Sequence, residues 1–275
     1  MFREIYLKED RPPYAQHLKV MVIGEDLLRE MNMKILLNLF ARSMEIRDSC
    51  LLLVAKGKAS DTFKISGDVP AFRLLGIENN HYNSSRLLPI TTIGKAMSKM
   101  AANSSFVIQG VTTQKGEVKF DRGAIIKSDT FRLIGFLTEE EVLGYNLLTG
   151  KAKKGIIKLN DEKTNQLVNY EIRSLETNII PHVQGKKIWF EVQLSTEGIL
   201  NEDWVLYGNA FDNRYLMRIE KAAAKRIKRL LTLTMHTLQQ KFQADVVGFR
   251  DQLRIHYPRV WEQVKKNWDK TFRSL

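Results

Sequence analysis

Cysteine is almost missing from this sequence: Cys50 is the only one in 275 residues, which excludes an internal disulfide, a zinc knuckle and a CxxC redox pair. It heads the apolar run Cys50-Leu-Leu-Leu-Val-Ala55 and follows Asp48-Ser49, the wrong setting for a lipid-modification site, so it reads as a buried strand thiol. Histidine is also scarce. His17, His81, His182, His236 and His256 lie far apart, with neither an HExxH pair nor a nucleophile elbow around them. Gly57-Lys58 and Gly94-Lys95 lack the upstream glycine and following Ser or Thr of a phosphate-cradling loop. The carboxylate groups Glu139-Glu-Glu141 and Asp161-Glu162 read as a helix start and a turn. No catalytic residue, cofactor site or metal site is therefore expected, and the chain does not read as an enzyme.

Long apolar runs are missing too. The best, Met31 to Ala41, contains Lys34 and falls short of the roughly 18 uncharged residues that a membrane span requires. The first ten residues do not follow the basic, apolar, small-residue order of a secretory signal. What is abundant is positive charge. Of the formal +12, residues 211–275 hold 15 Lys and Arg against 6 Asp and Glu, a net of +9. A basic end of this kind favours an anionic neighbour, and composition leaves phospholipid, nucleic acid and an acidic protein face open.

Periodicity gives an outline. After an extended Pro12-Pro13 entry, Gln16 to Ile23 reads as a half-buried strand, Gly24 ends it, and Glu25-Asp26 open a helix with apolar positions from Leu27 to Phe40. Cys50 to Ala55 reads as a second strand, parallel to the first because a helix-length crossover separates them. Helices are expected over 70–77 and 93–100, with Glu78 to Ser85 an exposed polar loop between them. Ala101-Ala-Asn-Ser-Ser105 divides helical from strand periodicity, which places a domain boundary near residue 103.

Strands follow over 106–111, 117–120, 123–127, 131–137, 155–159, 167–172 and 187–194, joined by Lys115-Gly116, Ser128-Asp129 and Gln184-Gly185 into a mostly antiparallel sheet. Thr138 to Glu141 start a helix whose weak end is marked by Gly144 and Gly150. From Asp212 onward the chain reads as one long helix and one or two shorter ones. Its stripe runs from Leu216 to Leu238, and Arg218, Lys221, Lys225, Lys228 and Arg229 lie mostly on the other side. The fold class is α+β: residues 1–102 with a small mixed sheet and flanking helices, then 103–275 with an antiparallel sheet covered by long helices.

The most distinctive residues lie at the end. Gln243-Ala-Asp-Val-Val-Gly-Phe249, His256-Tyr-Pro-Arg-Val-Trp261 and Lys265-Lys-Asn-Trp-Asp269 resemble the C-terminal signature of the Ger(x)C spore-germination lipoproteins. Ala244, Asp245, Gly248, Phe249, Pro258, Trp261, Trp268 and Asp269 all match. Gly123-Ala-Ile-Ile-Lys127, Leu133-Ile-Gly135-Phe-Leu137, His17-Leu-Lys-Val-Met-Val-Ile-Gly-Glu-Asp26, Arg42, Ile46-Arg47 and Val54-Ala-Lys-Gly57 extend the likeness along the chain.

The resemblance implies the non-enzymatic C subunit of a nutrient germinant receptor, joined to two integral-membrane subunits, A-type and B-type, at the outer face of the inner spore membrane. It also implies a signal and lipobox segment ahead of Met1 and a β-rich tail after Leu275. Asp245 is expected to cap the helix that follows it. Trp261 and Trp268 read either as packing against the sheet with Phe249 or as part of a subunit interface, and the basic face reads as solvated surface or as contact with anionic lipid. A nucleic-acid-binding protein and a soluble small-ligand module are the alternative readings. The strand region lacks the basic and aromatic interleaving of the former, and neither nucleic acid nor a small-molecule substrate is expected for this subunit alone.

Overall fold

The computed structural model describes residues 17–41, 46–65, 69–152, 154–205 and 208–275. The expected Pro12-Pro13 entry, Gln16 and Arg42 lie outside the described residues. Strand β1 (Val20–Gly24) pairs in parallel with β2 (Leu51–Ala55), with Val20 opposite Leu51. His17 precedes the strand and is exposed, rather than sitting within it. All five residues of β2 are buried, as a strand covered on both faces must be. Cys50 is buried beside it, and burial pushes its thiol up to about 11.

The crossover is helical but broken. Helix α1 (Glu25–Glu30) stops where Met31 turns extended, and α2 (Met33–Ala41) restarts because the Asn32 side chain accepts the Lys34 amide at 2.8 Å. The break turns Leu28, Met33 and Leu37 into the core and leaves Leu27, Met31 and Ile35 exposed, so the single apolar stripe is divided. Helix α3 (Pro70–Asn79) carries proline in its first turn, and α4 (Ile93–Ala101) is capped by Thr92. Glu78 to Ser85 is only in part the exposed loop expected: Asn79, Asn80, Tyr82 and Asn83 are exposed, but the stretch is helical to Asn79 with a 3₁₀ turn at Asn80–Tyr82, and its ends are not exposed. Glu78 and Ser85 are buried, and the Ser85 hydroxyl donates to the Lys154 carbonyl at 2.5 Å.

Strands β3 (Phe106–Gln114), β4 (Glu117–Lys127) and β5 (Arg132–Leu137) do not form a sheet of their own. β3 pairs in parallel with β2, and the five strands make one mixed sheet in the order β1-β2-β3-β4-β5. The change of periodicity near residue 103 is therefore the point where this sheet passes from parallel to antiparallel pairing. The β3–β4 turn is as the sequence implied, with Lys115 and Gly116 at φ of 50° and 78°.

Helix α5 (Glu139–Leu148) begins with a full capping box between Thr138 and Glu141 and is buried from Glu141 to its end. Gly144 does not end it. A Cβ there would lie 2.1 Å from the Thr234 hydroxyl and 2.8 Å from the Leu230 carbonyl oxygen, so this glycine is where α5 crosses α6 (Asn213–His236) at close range.

The second sheet is antiparallel, β6 (Gly155–Asn160), β7 (Leu167–Gln184) and β8 (Lys187–Asp203). The last two strands are 18 and 17 residues long, well beyond the expected segments 167–172 and 187–194. After α6 a π-helical turn, Thr237–Phe242, ends on Gln243 in the left-handed region at φ 49°. Three short helices complete the fold: α7 (Phe249–His256), α8 (Pro258–Val264) and α9 (Trp268–Arg273). Their apolar faces pack with Leu88, Val107, Ile125 and Leu137, so residues from both halves of the chain share one core.

Candidate functional site

The C-terminal signature is organised by one carboxylate. Asp245 is 3% exposed and accepts the backbone amides of Gly248 at 2.9 Å, Phe249 at 3.2 Å and Arg250 at 2.7 Å, together with the indole N–H of Trp268 at 3.0 Å. Burial pushes its carboxyl up, and these four donors oppose that rise. The expected helix cap is therefore present, and the same carboxylate also fixes the start of α9. Gly248 takes φ 104°, a conformation that side chains disfavour, although a Cβ there would meet nothing within 4 Å. Pro258 occupies the first turn of α8, where its missing amide is no loss.

Trp261 and Trp268 do not share one continuous helix, because Lys265–Asn267 is a 3₁₀ turn between α8 and α9. They meet edge to face at 5.4 Å, and Phe190 of β8 stands edge-on to Phe249 at 4.7 Å. Trp261, Trp268 and Phe249 are all buried, as packing against the sheet requires. Asp269 reaches Lys127 of β4 at 3.4 Å. Burial pushes its carboxyl up, against the pull of that lysine.

The basic face of α6 is partly committed. Arg218 Nε donates to Asp161 at 2.6 Å and its guanidinium lies 5.1 Å from the Tyr215 ring centroid, while Lys225 pairs with Glu162 at 2.9 Å. Burial alone would push Asp161 up, but bonds from Thr164 and Arg218 outweigh it and hold the carboxyl below the usual range. Lys221, Lys228 and Arg229 are exposed and make no ion pair among the described residues. Of the five cations expected to present charge outward, Lys225 is exposed as well but paired, Arg218 is half-buried, and these three are exposed and unpaired among the described residues.

Beyond the helix start at Thr138 to Glu141, sequence reasoning missed several organising contacts. Glu141 is tied to Thr138 and to Thr237 of the π turn at 2.6 Å. Asn146 donates to the carbonyls of Ser85 at 2.8 Å and Leu87 at 2.7 Å. Arg250 bonds the Ala102 and Asn103 carbonyls at the end of α4. Only Glu141, three residues after a threonine, carried a local signal. No group of three or more His, Cys, Asp or Glu that could hold a metal occurs among the described residues, and no described helix is long and apolar enough to cross a membrane.

Family models match at both ends of the chain: the spore germination protein N-terminal domain over residues 1–113 and the spore germination B3/GerAC-like C-terminal domain over 121–275. The chain belongs to the GerAC-like spore germination family. Among family members in Bacillus subtilis (strain 168), spore germination protein YndF is 38% identical over 98% of this chain and 67% of its own length. Spore germination protein B3 is 33% identical over 96% and 71%. The crystal structure of the GerBC protein matches with a TM-score of 0.80 and 31% identity, covering 98% of this chain and 79% of that one. The GerAC-like C-terminal domain contains the Asp245 cap and the helices it closes. The N-terminal model ends at 113, beyond the expected boundary at 103 and inside β3.

Proposed function

We propose that this chain is the C subunit of a spore nutrient germinant receptor and acts through protein contacts rather than catalysis. The observation that carries the reading is family membership over both halves of the chain, joined to a fold like that of GerBC. The internal use of its polar groups agrees with it: Asp245, Glu141 and Asp161 serve caps and ion pairs. Its partners are two integral-membrane subunits, and its place is the outer face of the inner spore membrane, as a lipid-anchored protein. Lys221, Lys228 and Arg229 face the anionic head groups, where each cation near the surface adds about 1 kcal/mol.

The test is a deletion of the coding sequence in the spore-former that carries it. Nutrient-triggered germination served by that receptor is expected to fail and to return on complementation, and a tagged chain is expected to retrieve both membrane subunits from spore membranes. Normal germination with no co-purifying membrane subunit would sink the reading. Vesicles with and without anionic lipid test the surface separately: binding should weaken with salt and in the Lys221→Gln, Lys228→Gln, Arg229→Gln variant.

A further inference from the structure

A cleft of about 840 Å³ separates α4 and the loop before it from the end of α5, the middle of β7 and the start of α7. That volume lies within the range of small-molecule sites. Leu88, Val107, Ile179 and Val246 supply apolar wall, while the charged groups are mostly cations: Lys95, Lys99, Lys151 and Arg250. Two acids line it, and both are engaged. Asp245 is held by its four donors, and Asp251 is 3.7 Å from Arg254. Lys95 donates to the Ile90 carbonyl at 2.9 Å, and Arg250 is spent on the end of α4.

Lys99 and Lys151 are left, with no ion pair among the described residues. Tyr145 lies with them. It is 6% exposed, its ring centroid is 5.7 Å from the Lys151 ammonium, and its hydroxyl has no hydrogen-bond partner among the described residues. Burial pushes the phenol up to about 12, against the opposing charge of Lys99, so it stays a proton donor at neutral pH. Lys99 and Lys151 are both exposed residues of the cleft lining, and partial desolvation lowers the pKa of Lys151. A phenol and two ammonium groups thus line the cleft as donors with no acceptor among the described residues, and charge-assisted hydrogen bonds to an anion are the strong kind such donors make.

We propose that this cleft binds a small organic carboxylate, its head group accepting hydrogen bonds from Tyr145, Lys99 and Lys151 and its apolar body lying against Leu88, Val107 and Ile179. A phosphate monoester shares the head-group chemistry. The inference does not rest on the receptor reading, and its failure leaves that reading untouched.

The experiment is ligand-observed NMR on the whole purified chain with 4-phenylbutyrate, its neutral amide, phenyl phosphate and inorganic phosphate. The carboxylate is expected to bind about tenfold or more tightly than the amide, the discrimination that a charge-assisted hydrogen bond supplies. Inorganic phosphate should compete poorly. Lys99→Gln with Lys151→Gln should abolish the preference for the acid, and Tyr145→Phe should reduce it, while Lys221→Gln with Lys228→Gln removes equal charge and leaves it intact. Phenyl phosphate binding well ahead of the carboxylate would reassign the head group and overturn the carboxylate proposal. Equal binding of acid and amide, an unaffected double lysine variant, inorganic phosphate as strong as the organic acid, or no carboxylate binding at about 10 mM would each overturn it. Unfolding curves identify any variant that fails to fold, and the lysine pair, lying at the surface, keeps the test decisive if Tyr145→Phe does not fold.

Discussion

Replacing Glu78 by Gln should stabilise the protein at pH 7 by about 3 kcal/mol and do nothing at pH 4. Glu78 lies at the end of α3 with 0% exposure, and neither carboxylate oxygen has a partner among the described residues. Burial raises its pKa from 4.5 to about 8, so the folded protein holds it protonated. The unfolded chain releases that proton above pH 4.5. Between those two values the native state binds more protons than the unfolded one, and stability therefore falls as pH rises. Two and a half pH units at about 1.4 kcal/mol each give the figure at pH 7. Glutamine keeps the shape and cannot ionise, so it removes that part of the pH dependence. The assay is urea unfolding of both proteins from pH 4 to 9, with the difference read at each pH so that other carboxylates cancel. A difference that does not grow with pH, or a glutamine variant less stable at pH 7.5, would refute the reasoning.

Three other substitutions follow from the geometry. Gly248→Ala should cost about 1–2 kcal/mol in urea unfolding, all of it from the left-handed backbone, because the space beside the residue is open. Gly144→Ala should cost about 2 kcal/mol or more by forcing α5 from α6, and Thr234→Ala should recover part of that in the double variant. Arg218→Met should cost about 2 kcal/mol at pH 7, less than a fully buried pair because Arg218 keeps solvent contact. Asp161 is held below the usual range, so its contribution is present above the unfolded pKa and lost as pH falls through the folded one. The loss on removing Arg218 should accordingly shrink in acid.

Where local chemistry decides the structure, the sequence was legible. The Thr138 and Glu141 capping box, the Lys115-Gly116 turn, the apolar β2 and the Asp245 cap each need only neighbours a few residues away. The break at Asn32 was hidden because apolar spacing continues across it, and the side chain that restarts the helix is an ordinary polar residue. Sheet membership was misjudged for a similar reason. Alternation identifies a strand but not its partner, and β3 is drawn to β2 by pairing rather than by anything within residues 106–114. The cleft around Tyr145 gave no signal at all: Lys99, Tyr145 and Lys151 stand on separate elements, and in sequence the tyrosine is one more apolar position of a buried helix.

Arg250 has a mechanical meaning. Its backbone amide holds the Asp245 turn, and its guanidinium holds the Ala102 and Asn103 carbonyls just past α4, nearly 150 residues earlier in the chain. One residue thus connects the first half of the chain to the turn from which α7 and α9 are hung. A load that shifts α4 reaches that turn directly through this side chain, alongside the shared close-packed core. Hydrogen exchange at the amides of Gly248 and Phe249 would register such a pull at its far end.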